Sequence, residues 1–78
     1  MSSTESDGPK ATQELADAIT IALLSHYHGA HLVHAQVVKR VANGRVERVS
    51  QVFLDLPSGD RIVCYAYILP AEQRGPAG

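Results

Sequence analysis

Residues 31–69 read HLVHAQVVKRVANGRVERVSQVFLDLPSGDRIVCYAYIL, and this stretch decides the fold. It is rich in Val, Ile, Leu, Tyr and Phe, which are typical of strands, and turn residues divide it into three runs. Asn43 and Gly44 tolerate the positive φ of a two-residue type I′ hairpin turn, and residues 57–60 (PSGD) form the second turn. We therefore predict a three-stranded antiparallel meander with strands at residues 31–41, 46–56 and 61–69.

The residues before these runs follow a helical period from residue 10 to about residue 28. At about 100° per residue, the polar residues Gln13, Asp17 and Thr20 lie opposite one apolar stripe. That stripe consists of Leu15, Ala18, Ile19, Ala22, Leu23 and His26. The prediction is an α+β fold in the order helix-strand-strand-strand, with the N-terminal helix packed on the sheet.

The sequence offers two candidate positions for the start of this helix and one for its end. Pro9 suits the first helical position and Thr12 suits the N-cap, while Gly29 is a natural left-handed stop. Beyond the helix and strands, both ends of the chain are polar and without periodicity. We expect a single domain at residues 10–70, with flexible tails at residues 1–9 and 71–78.

The register of the first hairpin has two solutions. A two-residue turn pairs Arg40 with Glu47 but sets Lys39 opposite Arg48, which is unfavourable. A one-residue bulge at the turn would instead pair Lys39 with Glu47. The tight turn is slightly favoured, and the alternative stays open.

In the tight register both faces of the sheet are apolar. One face carries Val33, Ala35, Val37, Val41, Val46, Val52, Leu54, Val63, Tyr65, Tyr67 and Leu69. The other carries Leu32, Val38, Val49, Phe53, Ile62, Cys64, Ala66 and Ile68. One helix covers only one face of three strands, so the other face presents an apolar patch of the kind that marks an interface.

A chain of 78 residues also gains little net stability from its own core. Cys64 is its single cysteine, so no internal disulfide adds to that stability. We predict a homodimer, formed by packing of sheet on sheet or by edge pairing of strand one or three. The candidate interface residues are Ile21, Leu24, Phe53, Ile62, Ala66 and Ile68. The expected function is a protein-interaction module, an adaptor, regulator or inhibitor of another macromolecule.

Charge is segregated along the chain and supports an alternative function. The chain carries a net charge of −1, yet residues 1–30 are acidic and residues 31–61 are basic. Lys39, Arg40, Arg45 and Arg48 make the first hairpin a candidate contact for nucleic-acid phosphates. A purely solubilising role for these side chains is the simpler interpretation, so nucleic-acid binding is the second choice.

Four histidines lie close together, and histidine is the commonest ligand of transition metals. On a helix His26 and His28 point about 200° apart, and on a strand His31 and His34 face opposite sides. His28 and His31 are weak candidates for converging across the turn between helix and strand. Metal binding is therefore the third choice, and we expect no cofactor.

No pattern predicts catalysis. Ser25 and His26 are neighbours in sequence only, and Cys64 lies in an apolar strand, where thiols are inert. The chain has no Gly-rich phosphate loop, CxxC pair or HExxH motif. It also has no signal peptide and no apolar run long enough to span a membrane, so we expect a cytoplasmic protein. The excess of Arg over Lys is typical of GC-rich coding and hints at a bacterial or phage source.

Overall fold

A computed structural model describes residues 9–71 and has the predicted order of one helix followed by three antiparallel strands. The elements are α1 (Gln13–His26), β1 (His31–Ala42), β2 (Arg45–Asp55) and β3 (Arg61–Ala66). The strand order is β1-β2-β3, so β2 is central and the other two strands form the edges. Apart from Pro9 and Ala71, the two predicted tails lie outside the described residues.

The hairpin between β1 and β2 has the tight turn. Asn43 and Gly44 have φ values of 56° and 76°, as a type I′ turn requires. Arg40 pairs with Glu47, and Lys39 lies opposite Arg48, which confirms the favoured register. The ladder is irregular only near the start of β1, where the register shifts between Leu32 and His34.

The second turn sets the phase of β3. The Leu56 N–H donates to the Asp60 carbonyl at 2.8 Å, and the Gly59 N–H donates back to the Leu56 carbonyl at 2.9 Å. This closed loop places Arg61 directly opposite Asp55. Every later residue of β3 is then assigned to a face by alternation.

The predicted faces of β3 are wrong. Ile62, Cys64 and Ala66 lie opposite Leu54, Val52 and Ser50, on the face that α1 covers. Val63 and Tyr65 lie opposite Phe53 and Gln51, on the open face. β3 also ends earlier than predicted, at Ala66, and Ile68 instead forms an isolated bridge with Lys10.

Thr12 is the N-cap of α1. Its Oγ1 accepts a hydrogen bond from the Leu15 N–H at 3.1 Å. At the other end the Tyr27 N–H donates to the Leu23 carbonyl at 2.8 Å, and Gly29 follows with φ 84°. α1 has 14 residues, and no helix in residues 9–71 is long and apolar enough to cross a membrane.

The face that α1 presents to the sheet differs from the predicted stripe. Ala16 and Thr20 are its buried residues, and the Thr20 hydroxyl donates to the Ala16 carbonyl at 2.8 Å. Gln13, predicted to point away, donates through Nε2 to the Ala35 carbonyl of β1 at 2.9 Å. Three residues of the predicted stripe are exposed: Ala18, Ala22 and His26. Small residues thus bring the helix close to the sheet.

The core is thin and lies over the first two strands. Its fully buried apolar side chains include Ala16, Val52 and Leu54. α1 packs mainly on β1 and β2, and the buried Ser50 hydroxyl ties the start of the helix to the sheet by donating to the Thr12 carbonyl at 2.9 Å. The helix side of β3 is therefore only partly covered.

Candidate functional site

The edge strand β3 exposes apolar side chains on both of its faces. Val63 and Tyr65 are 50% and 48% exposed on the open face. Ile62, Cys64 and Ala66 are half-buried on the helix side, because α1 packs mainly on the other two strands. The strand has a single charged residue, Arg61 at its start.

The opposite edge, β1, is better protected. A register shift interrupts its ladder near residue 33, and bulges of this kind disfavour pairing with another chain. Its side chains also include several polar or charged groups, which have the same effect: His31, His34, Gln36, Lys39 and Arg40. The two edges thus differ in kind, and β3 is the one suited to pairing.

The predicted interface residues do not form one patch. Ile62 and Ala66 lie on the helix side of β3. Ile68 lies two residues beyond the strand and lines a shallow hollow with Leu15 and Ala18. Phe53 is on the open face. Ile21 and Leu24 are exposed on α1.

The open face carries several interactions between side chains. Phe53 lies with its ring centre 5.4 Å from that of His34 and 5.9 Å from the Arg61 guanidinium carbon. Arg61 also binds Asp55, with its Nε 2.6 Å from Oδ1 and one terminal nitrogen 3.2 Å from Oδ2. Hydrogen bonding to Arg61 lowers the pKa of Asp55, although partial desolvation opposes this. The opposite charges of these two residues flank the second turn, a signal that sequence reasoning missed.

The basic hairpin forms one wall of a groove of about 540 Å³. The segment at residues 9–12, just before α1, forms the other wall. The lining residues are Pro9, Lys10, Ala11, Thr12, Lys39, Arg45, Val46, Glu47 and Arg48. Of the four cationic residues predicted for the hairpin, three line this groove, whereas Arg40 lies on the open face. Lys10 is an addition that sequence reasoning missed, since only the bridge to Ile68 places it there.

The four histidines are spread over the end of α1, the turn after it and β1. Within residues 9–71, no three His, Cys, Asp or Glu side chains come together in a way that could hold a metal ion. His26, His28 and His31 are exposed, and His31 lies opposite Asp55. His34 is half-buried, with Nδ1 3.2 Å from the Gln36 amide nitrogen, while its buried Nε2 has no partner in the described part of the chain.

Cys64 is a free, half-buried thiol on the helix side of β3, and Ser25 is exposed near the end of α1. No protein-family model, curated protein or solved structure matches this chain. The candidate functions therefore come from two surfaces, the exposed β3 edge and the basic groove.

Proposed function

We propose that this protein is a homo-oligomeric interaction module whose dimer forms by antiparallel pairing of β3 with β3 of a second copy. The observation that carries the proposal is the contrast between the two edges of the sheet. β1 has an irregular ladder and polar side chains, whereas β3 is regular and apolar on both faces. Exposed, regular, apolar edges favour strand addition.

A two-fold dimer limits the register of this pairing. Two residues that pair must lie on the same face of the sheet, and in β3 all residues of one face are even-numbered or all are odd-numbered. An even-numbered residue therefore pairs with an even-numbered one, and an odd with an odd, so the two numbers add to an even sum. Two such registers pair five residues of each β3 strand, one centred on Val63 and one on Cys64. We propose the second, which leaves the charged Arg61 outside the paired residues and sets Cys64 opposite the partner's Cys64. It also sets Val63 opposite the partner's Tyr65, and Ile62 opposite the partner's Ala66. Apolar side chains then meet on both sides of a six-stranded sheet.

A second copy suits this edge better than a charged partner would. Arg61 is the only charge on β3, and in the register centred on Cys64 it lies just outside the paired residues, so it opposes no other cation. Pairing therefore opposes no like charges and covers the half-exposed Val63 and Tyr65. It also enlarges a core that is small for an isolated chain.

The dimer would act by binding, as an adaptor, regulator or inhibitor, rather than by catalysis. Self-pairing through β3 leaves the outer side of α1 free, where Ile21 is 66% exposed beside Leu24. Two such apolar patches related by a two-fold axis are suited to a protein partner.

The molar mass of the full chain, measured by light scattering over a hundredfold concentration range, tests the dimer. We expect twice the chain mass at micromolar concentration. Val63→Lys places a charge in the paired strand and should give a monomer, with circular dichroism confirming that it folds. Val41→Lys is the matched control, because Val41 is an exposed valine of β1, and it should stay dimeric. A monomer at every concentration would disprove the proposal.

Cross-linking tests the register. If Cys64 faces the partner's Cys64, a short bismaleimide should couple two chains, and Cys64→Ser and Val63→Lys should each abolish the product. A dimer that fails to cross-link and persists in Val63→Lys would place the interface elsewhere on the molecule.

A further inference from the structure

We infer that the groove between residues 9–12 and the β1–β2 hairpin binds the phosphates of a nucleic-acid backbone. Its volume of about 540 Å³ is ample for phosphate groups on an extended backbone. None of its lining residues belongs to β3. The site therefore does not depend on the proposed dimer.

The charges lining this groove are strongly one-sided. Four cationic residues line it, against one acidic residue, Glu47: Lys10, Lys39, Arg45 and Arg48. Within residues 9–71 the only ion pair joins Asp55 to Arg61, so none of these four cations is paired there. Unpaired like charges along a concave surface create a local positive potential, even though the chain as a whole is slightly acidic.

The strand register brings two of these cations together. Lys39 and Arg48 are directly opposite each other on the helix side of the hairpin, beyond the point where α1 begins. Like charges at opposed positions cost stability in the absence of an anion. A phosphate between the two side chains removes that cost, because each cation then has a counter-charge.

The start of α1 adds to the same potential. Thr12 is the N-cap and lines the groove, so the positive end of the helix dipole lies at its wall. The backbone of residues 10–12 is held in place by two contacts. Lys10 and Ile68 exchange hydrogen bonds of 2.9 and 2.6 Å, and Ser50 donates to the Thr12 carbonyl. The wall is therefore preformed.

The lining residues also indicate how the ligand is recognised. Among the described residues that line the groove none is aromatic, so they offer no surface on which bases could stack. Lysine and arginine side chains contact phosphates regardless of sequence. We therefore expect binding that is independent of sequence and strongly dependent on salt.

Fluorescence anisotropy of a labelled 20-base-pair DNA duplex, titrated with the full chain at 20–200 mM salt, tests the inference. We expect affinity to fall with salt with a logarithmic slope of about −2 to −3, which corresponds to two or three phosphates. Lys39→Gln and Arg48→Gln should each weaken binding severalfold and reduce the slope by about 1. Absence of binding at the lowest salt would overturn the inference.

Arg40→Gln is the matched control, because it removes the same charge at the position next to Lys39 but on the opposite face. We expect its affinity to stay within twofold of the unmodified chain. An equal loss of affinity in Arg40→Gln and Lys39→Gln would mean that net charge, and not the groove, drives binding. The proposed site would then be rejected. Unlabelled poly-glutamate that competes as well as DNA of equal charge would assign the groove to acidic polypeptides instead, and would also overturn the inference.

Discussion

The guanidinium carbon of Arg40 lies 4.9 Å from the centre of the Tyr65 ring, although the two residues are on opposite edge strands. Both side chains lie on the open face, with β2 between them. Val49 of β2 lies on this face between their positions and is only 1% exposed. The Arg40 and Tyr65 side chains therefore cover part of the open face. Compared with that face, the β3 edge is the more apolar exposed surface.

This cation–π pair should stabilise the sheet measurably. We expect Arg40→Gln and Tyr65→Leu to show a coupling energy of about 0.5–1 kcal/mol in a double-mutant cycle, as exposed cation–π pairs do. The free energy of unfolding should be measured in urea at one fixed protein concentration, since dimerisation also contributes. Strictly additive effects of the two substitutions would mean that the pair contributes nothing.

Gly29 should tolerate substitution less well than other glycines in turns. It has φ 84°, and an added Cβ would lie 2.9 Å from the Cγ of Pro57. Gly44 has φ 76° but nothing within 4 Å of an added Cβ. Gly44→Ala should therefore lower the free energy of unfolding by about 1–2 kcal/mol, the cost of the left-handed backbone alone. Gly29→Ala should lower it further, and equal losses would show that the contact with Pro57 relaxes freely.

Ser50 should contribute more to stability than its size suggests. Its side chain is fully buried, and its hydroxyl holds the Thr12 carbonyl at the start of α1. Ser50→Ala should cost about 1 kcal/mol, because it removes the hydrogen bond that joins β2 to the start of α1, although the Thr12 carbonyl still accepts from the Ala16 N–H. Ser58→Ala removes a hydroxyl in the exposed second turn and should cost less than about 0.5 kcal/mol. Chemical denaturation of both variants compares the two losses, and equal costs would argue against a role for the Ser50–Thr12 bond.

The elements and the first hairpin were predictable because their signals are local. Asn43 and Gly44 specify a turn type, and that turn specifies the register. The phase of β3 was not predictable by alternation, because Ile62 and Val63 are equally suited to either face. The deciding feature is the second turn, whose backbone hydrogen bonds set Arg61 opposite Asp55.

The rotation of α1 and the groove depend on tertiary contacts. Ala16 and Thr20 are less hydrophobic than the predicted stripe, yet they face the sheet because small side chains allow close approach. Lys10 joins the groove only through the bridge to Ile68. The basic hairpin itself was predictable, but its division into Lys39 on one face and Arg40 on the other becomes informative only once the register is known.

Asp55 should make stability depend on acid pH. Its pKa is below the ordinary value of 3.8, chiefly through the hydrogen bond from Arg61. A folded-state pKa below the unfolded one stabilises the fold at pH values above about 4, and this contribution is lost as pH falls through the folded pKa. We expect NMR titration of the Asp55 carboxyl to give a pKa below 3.8, and Asp55→Asn to flatten the pH dependence in that range. An unshifted pKa would mean that solvent screens the pair.

Lys39 and Arg40 should respond oppositely to the same substitution. Lys39 faces Arg48, so Lys39→Glu replaces a repulsive pair by an attractive one and should raise the free energy of unfolding by about 0.2–1 kcal/mol. Arg40 faces Glu47 and contacts the Tyr65 ring, so Arg40→Glu creates a repulsive pair, removes the cation–π contact and should lower the free energy of unfolding by at least as much. Urea denaturation at low salt measures both, and the difference should shrink as salt is added. A stabilised Lys39→Glu that no longer binds DNA would show that the opposed cations sacrifice stability for anion binding, whereas no gain in stability would mean that the two side chains already avoid each other.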